Sequence, residues 1–436
     1  MLTIKTDLDN TFWLKYIVEE FRNINIADFE IEIMSLDDHS SNNNIIYYVQ
    51  NPAGKISIYN SNQIIPSNKI EYLRKDLFIL EKSWSDNFSV NYDIFWNAFV
   101  FLSRCEEYIS EKYGKNIYSY SLNHPRLDKN SFDIPIVNIL FNDLEIFIKD
   151  NFNDLRFKEK QEPQIELSHD VDYINKTIQL RLKQTAFNGF NTIKSLFKPK
   201  QFLRDLSKTV NFAFSNPSYW CFDYWQDLES SHSRKSTYYV YVKNGKKNLK
   251  SWLIDPSYDI RTNIKLQLKL KELYNKGFEI GLHGSYYSAN SVDRLKQEKD
   301  ILEETLNIKV TKTRQHWLNY FEERTPYIHN RLFETDSTLA WNDRIGFRSG
   351  CVSKYRPYDF KNKRAFNYEI IPQVIMDSNI YDYSVRDSEL LKSKNMIRMS
   401  KEISKTTYIS ISWHQRVCSS DYKWHDFYEE LLNEYI

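Results

Sequence analysis

The sequence predicts an α/β protein in which a parallel β/α barrel over about residues 160–436 follows a smaller α+β unit over residues 1–150. Two observations carry this. From residue 164 onward short β-rich runs alternate with helical, charge-rich segments, the pattern of strands that pair in parallel through crossover helices. Several of those runs end in a polar group, at SHD, GLH, RQH and SWH, and strand C-termini are where a parallel barrel holds its reactive side chains.

The elements follow in order. In the first unit, NIIYYVQ (44–50) and KISIYN (55–60) alternate as strands do. SVNYDIFWNAFVFLSRCEEYISEKYG (89–114) reads as one helix, capped by Asn91 or Asp93 and ended by Gly114, with Glu106 and Glu107 on a solvated face. No candidate chemistry is expected there. In the second unit the strands are QIELSHD (164–170), STYYVYV (236–242), FEIGLH (278–283), KVTKTRQH (309–316), YEIIPQVIMD (368–377) and TTYISISWH (406–414). Residues 264–277 and 291–307 supply helices between them. An insertion over about 173–235 interrupts the alternation, and its first part, 173–208, is basic and amphipathic with Asp205 as its only acid. It reads either as an interfacial helix pair on an anionic membrane or as a packed insertion over the barrel mouth.

Composition narrows the function classes. Lys+Arg 59 against Asp+Glu 58 gives a net charge of +1, without the basic excess of a general nucleic-acid binder. The four cysteines form no Cys-x-x-Cys pair, so neither a zinc knuckle nor a disulfide framework is indicated. The first residues lack the apolar stretch of a signal peptide, and no run of about 18 apolar residues exists, so a cytoplasmic location is expected. Nine glycines in 436 residues is about 2%, against a usual share of roughly 7%. Four of the nine, Gly281, Gly284, Gly346 and Gly350, flank His283 or the Phe347-Arg348 dipeptide, which places one pocket there.

Five motifs could carry chemistry. Ser168-His169-Asp170-Val171-Asp172 closes an apolar strand, and in a strand residues i and i+2 face the same way, so Asp170 and Asp172 address one metal or one substrate. His283, between Gly281 and Gly284, suits a neutral metal ligand. Arg314-Gln315-His316-Trp317 brings a bidentate guanidinium to a third strand end. Gly346-Phe347-Arg348-Ser349-Gly350-Cys351 reads as a short strand between glycines, and Ser412-Trp413-His414 closes the last strand. His39, His124, His232, His329 and His425 lack such company and read as ordinary surface or capping residues.

Taken in order, these motifs resemble the polysaccharide deacetylases, the family-four carbohydrate esterases, over roughly residues 160–430. GLHGSYYS, RQHW, DSTLAW, GFRSGC and PQVIMD are similar to a divergent bacterial branch with an extra N-terminal domain of unknown role. The resemblance implies a deformed (β/α) barrel and metal-assisted removal of an acetyl group from a sugar or glycan precursor in surface polysaccharide metabolism. SHDVD looks like a variant of the family's Thr-Phe-Asp-Asp-Gly motif, which would make Asp170 the general base and Asp172 a metal ligand. His283 matches the first histidine of the family's His-Ser/Thr-x-x-His motif, Arg314 the arginine that orients the base, and His414 the general acid. Trp317, Arg348, Trp413 and Tyr287 are the expected substrate-binding residues.

One departure leaves two readings open. Position 287, where a second ligand histidine belongs, is tyrosine. Either His316 reaches the metal from the neighbouring strand and restores a two-histidine, one-carboxylate zinc set, or the metal is weakened or lost. In the second case the barrel binds a glycan or glycolipid without turning it over.

Overall fold

The structure is a computed structural model describing residues 1–51, 55–63, 65, 89–90, 92–382 and 386–435. Near the N-terminus, β1 (Leu2–Thr6), β2 (Ile31–Ser35), β3 (Ile45–Val49), β4 (Ser57–Tyr59) and β5 (Ser89–Val90) form a sheet in the order β2-β1-β3-β4-β5. Every described pairing in it is parallel, a layered α/β arrangement where an α+β unit was expected. Helix α1 (Phe12–Ile24) packs against it.

The helix predicted over 89–114 is two helices, α2 (Ile94–Leu102) and α3 (Cys105–Lys112). Asp93 caps α2 by accepting from the Trp96 N–H, and Gly114 follows α3 at φ +82°. Between them Arg104 takes φ 55°, which breaks the helix and turns its guanidinium inward. A fourth helix, α4 (Ile136–Asn151), completes this layer.

The second sheet has eight strands: β6 (Gln164–Val171), β7 (Thr237–Tyr241), β8 (Glu279–Gly284), β9 (Lys312–Gln315), β10 (Thr335–Asp336), β13 (Glu369–Ile370), β14 (Gln373–Met376) and β15 (Tyr408–Ser412). A small hairpin, β11 (Tyr358–Asp359) with β12 (Arg364–Ala365), stands apart from it. The order is β13-β10-β9-β8-β7-β6-β15-β14, and every pairing is parallel. The run expected to be one strand, YEIIPQVIMD, is split into the two edge strands β13 and β14 by Ile371-Pro372. Proline cannot donate to a ladder, so the chain leaves one edge there and joins the other, curling the sheet into a barrel.

The two units share a core. Tyr16, Phe99, Tyr320, Cys351 and Tyr358 fall in one buried cluster, and the Tyr16 hydroxyl donates to the Arg356 carbonyl at 2.8 Å. The expected strand around Gly346–Cys351 is a turn, in which the Gly350 N–H donates to the Phe347 carbonyl. Its glycines make room for the N-terminal layer, not for the site. A Cβ at Gly346 would meet the Phe132 carbonyl at 2.6 Å, and one at Gly350 the Phe101 ring at 2.7 Å.

The insertion forms a helical hairpin, α5 (Ile178–Lys194) and α6 (Pro199–Phe214), lying over the barrel mouth. Its base is tied down by a Lys176–Asp421 ion pair at 2.8 Å and by Gln179, whose amide donates to the Asp255 carbonyl at 3.0 Å. Among the described residues no helix is long and apolar enough to cross a membrane.

Candidate metal centre and acid–base site

Strand alternation aims the side chains. Along β6, Ser168 and Asp170 face the barrel axis, while His169 faces out and is fixed between Glu229 (2.8 Å) and the Trp413 carbonyl (2.8 Å). Neighbouring strands then supply Arg314 and His316 from β9 and its end, His283 from β8, and His414 beyond β15. Asp170, Asp172, His283, His316 and His414 line a cavity of about 220 Å³ at the strand C-termini. That is smaller than the roughly 300–1,000 Å³ of ordinary ligand pockets, so it admits a small group or one end of a larger molecule.

Beneath the cavity lies a polar column instead of the usual aliphatic layers. The fully buried Arg314 guanidinium donates to Asp170 Oδ1 (2.7 Å), Ser412 Oγ (2.8 Å), Ser168 Oγ (2.9 Å) and Ser337 Oγ (2.9 Å). It sits 4.2 Å over the Tyr239 ring, for which Gly281 leaves room: a Cβ there would lie 2.7 Å from that ring. Arg314 thereby fixes Asp170. Burial pushes the Asp170 carboxyl up, but Arg314 foremost, with His283 and His414, outweighs it and holds the carboxyl below its usual range.

Asp172, His283 and His316 each offer one ligand atom, and the three atoms lie within 4.8 Å of one another. His283 Nε2 is 3.2 Å and His316 Nε2 3.7 Å from Asp172 Oδ1. Ligands sharing a tetrahedral ion at about 2.1 Å stand roughly 3.4 Å apart. The second shell fixes both rings. A carbonyl can only accept, so His283 Nδ1 donates to the Arg314 carbonyl (2.9 Å), while His316 Nδ1 faces Asp255 Oδ1 (3.1 Å). Both bonds leave Nε2 toward Asp172, the arrangement that orients metal-binding histidines. Asp172 Oδ2 accepts from Arg416 at 3.1 Å, whereas its buried Oδ1 accepts no hydrogen bond. A buried carboxylate oxygen without a donor, facing two imidazole nitrogens, fits a cation.

The electrostatics agree. Burial depresses the His283 imidazole, but Asp170 and Asp172 outweigh it and hold its pKa above the ordinary histidine value; the site attracts positive charge. At His316 burial wins and favours the neutral, ligating form. Across the cavity, His414 Nδ1 is 2.7 Å from Asp377 Oδ1 and its Nε2 is 3.4 Å from Asp172 Oδ2. Burial lowers the His414 pKa, and Asp377 more than reverses this, so the ring keeps its proton above the usual range.

The structure thus brings together Asp170, Asp172, His283, Arg314, His316 and His414. Of the expected substrate-binding residues only Trp317 lines the cavity. It sits at φ 60°, with Leu318 at φ 49°, a left-handed pair rare for such side chains. Asn342 holds it by donating to the Trp317 carbonyl (3.0 Å), and the Ser119 hydroxyl holds the Leu318 carbonyl.

The other three expectations are corrected. Arg348 makes a bidentate pair with Glu107 (3.1 and 2.7 Å) and donates to Ser119 Oγ (2.8 Å) between the two units. Trp413 alternates outward into the core, its indole N–H donating to the Trp424 carbonyl at 2.7 Å. Tyr287 packs on Tyr286, with ring centroids 5.4 Å apart, outside the cavity. Glu106 and Glu107 are buried ion-pair partners, not a solvated face. His124 and His329 are buried as well, His329 between Asp336 and Gln315. Sequence reasoning missed Asp255, Asp377 and Arg416. Asp377 closes the apolar run PQVIMD and so carried the same strand-end signal as the others.

No family model matches the chain, and no curated protein matches it. Among solved structures it is similar to a protein assigned as a polysaccharide deacetylase from Mycobacterium smegmatis, at 12% identity over 64% of this chain and 84% of that one, with a TM-score of 0.38. It is similar to a polysaccharide deacetylase from Bacillus cereus at 9% identity, 62% and 85% coverage and a TM-score of 0.28. A CE4 family pseudoenzyme from Bacillus anthracis gives 10% identity, 63% and 62% coverage and a TM-score of 0.31. Likeness at this level carries no argument about activity, and the functional reading rests on the geometry.

Proposed function

We propose that this chain is a metal-dependent hydrolase that removes an acetyl group from a sugar or glycan precursor. The observation that carries the reading is the donorless Oδ1 of Asp172 converging with two oriented histidine Nε2 atoms beside an acid–base pair. Asp172, His283 and His316 would hold the ion, and two histidines with one carboxylate are a catalytic zinc set. A divalent ion there polarises an acyl carbonyl and lowers the pKa of bound water.

The chain's own groups divide the proton work. Asp170, kept ionised and aimed by Arg314, accepts a proton from the attacking water. His414, kept protonated and turned by Asp377, donates through Nε2 to the departing amine or alcohol as the acyl bond breaks. Roof residues Leu180 and Phe187 exclude water, and Trp317 offers a ring for the sugar face.

The test combines elemental metal analysis of purified protein with acetate release from acetylated amino sugars. The reading requires one bound divalent ion, lost in Asp172→Ala, and acetate release lost in Asp170→Asn with the metal retained. A protein that binds the ion and a glycan yet releases no acetate is instead a non-catalytic glycan-binding barrel.

A further inference from the structure

The α5–α6 hairpin is polar on the inside and apolar on the outside. Its helices meet through Thr192 and Thr209, whose hydroxyls lie 2.9 Å apart, and Asn188, Thr192 and Ser195 are buried along that seam. On the outer face of α5, Ile178, Leu182, Phe190 and Ile193 are exposed, at a spacing that puts them on one side. Leu203, Leu206, Val210 and Phe214 do the same along α6, with Phe214 84% exposed. At the tip Phe197 is 93% exposed beside Leu196, and Leu249 and Trp252 continue the patch next to the base of α5. A water-facing helix pair has the opposite arrangement, and patches of this extent mark an interaction surface.

Charge selects the partner. Lys194, Lys198, Lys200, Arg204 and Lys208 are all exposed on the same hairpin. Residues 174–209 hold eight Lys or Arg and one acid in a chain of net charge +1, so the remainder is net negative. A second copy docked symmetrically would set these cations against each other. Apolar side chains rimmed by lysines match a bilayer interface with anionic headgroups. Neither helix is long and apolar enough to cross, so the hairpin lies on the surface.

We propose that the outer face of α5–α6 docks on an anionic membrane. The inner face of α5 contributes Leu180, Lys183, Gln184 and Phe187 to the cavity, so docking brings the mouth of the site to the bilayer. If the acetyl-sugar reading holds, its substrate is a sugar carried on a membrane lipid. The docking itself does not rest on that reading.

The test floats the full chain with vesicles of phosphatidylcholine alone and of phosphatidylcholine with phosphatidylglycerol, at low and high salt. Flotation is expected with the anionic vesicles and roughly tenfold weaker in high salt. The double variant Phe197→Ser/Phe214→Ser is expected to keep its thermal midpoint and its metal content while binding vesicles roughly tenfold less. Equal binding to neutral vesicles overturns the proposal. So does the absence of flotation, or a dimer in sedimentation that this double variant dissolves. None of these measurements reads hydrolysis, so the docking can fail while the proposed activity stands, and the reverse.

Discussion

Of two buried charge clusters among the described residues, only one has an unanswered atom. Between the N-terminal layer and the barrel, Arg104 pairs with Glu322 through both oxygens (2.9 and 2.8 Å) and Arg348 pairs with Glu107, while within the N-terminal layer Arg126 pairs with Glu106. Among the described residues no buried polar atom of these six side chains lacks a partner. At the strand ends the same kinds of group leave Asp172 Oδ1 open. Burial and charge alone therefore do not mark a site. A buried carboxylate oxygen left without a hydrogen bond between two imidazole nitrogens is what sets the strand-end cluster apart.

The comparison can be broken from either side. The largest effect is expected from His283→Ala, which should bring bound metal and acetate release to background while the thermal midpoint of metal-free protein stays within a few degrees. A variant that still holds stoichiometric metal would move the ion elsewhere. Next, Glu107→Ala leaves the Arg348 guanidinium buried and uncompensated, at a cost of about 3–5 kcal/mol in urea unfolding. Its metal content per folded molecule should not change; a loss below about 1 kcal/mol would show that the satisfied cluster does not hold the two units together.

Glu298 sits between these extremes, bonded to the Ser285 N–H (3.0 Å) and hydroxyl but to no cation. Burial raises its pKa to about 7, against the bonds from Ser285. The folded chain therefore binds a proton there that the unfolded chain releases near pH 4.3. Stability from this group is complete below about pH 4.3 and is lost as pH rises through about 7, a fall of about 4 kcal/mol. Glu298→Gln should flatten that slope in unfolding measured at pH 5 and pH 8, and an unchanged slope would falsify the assignment. The smallest effect belongs to Asp255→Ala, which frees the His316 ring and should weaken metal about 10- to 100-fold in chelator competition, with the ligands intact.

The barrel was legible in the sequence because a parallel strand announces itself twice, by its apolar run and by the polar group that ends it. Asp170, Asp172, His283, Arg314, His316 and His414 were found that way; five of them line one cavity and Arg314 lies beneath it. Arg348 and Glu107 were misread for a common reason. An arginine between glycines suggests a pocket and a Glu-Glu pair on a helix suggests solvent, yet each is explained by the other across the interface between the units. Asp377 carried the strand-end signal of PQVIMD, but Asp255 acts through a histidine that only the fold brings near, and no local pattern separates it from an ordinary aspartate. The break at Pro372 was visible as a residue, but its meaning depends on the two edges it connects.

The position of β15 has a consequence for synthesis. This strand, the last of the described strands, inserts between β6 and β14, pairing Tyr408 with Gln164 and Ser412 with Ser168. Until it emerges from the ribosome, β6 has an open edge and the eight-stranded sheet is incomplete. His414 follows two residues after this strand, so the proposed proton donor and the strand that covers the β6 edge are delivered together. A chain cut short before residue 408 keeps Asp172, His283 and His316 in its sequence but leaves the β6 edge unpaired and lacks His414. Completion of the sheet and assembly of the proposed site thus become one event, late in translation, and fragments of this protein are expected to be substrates for proteolysis before they could perform the proposed chemistry.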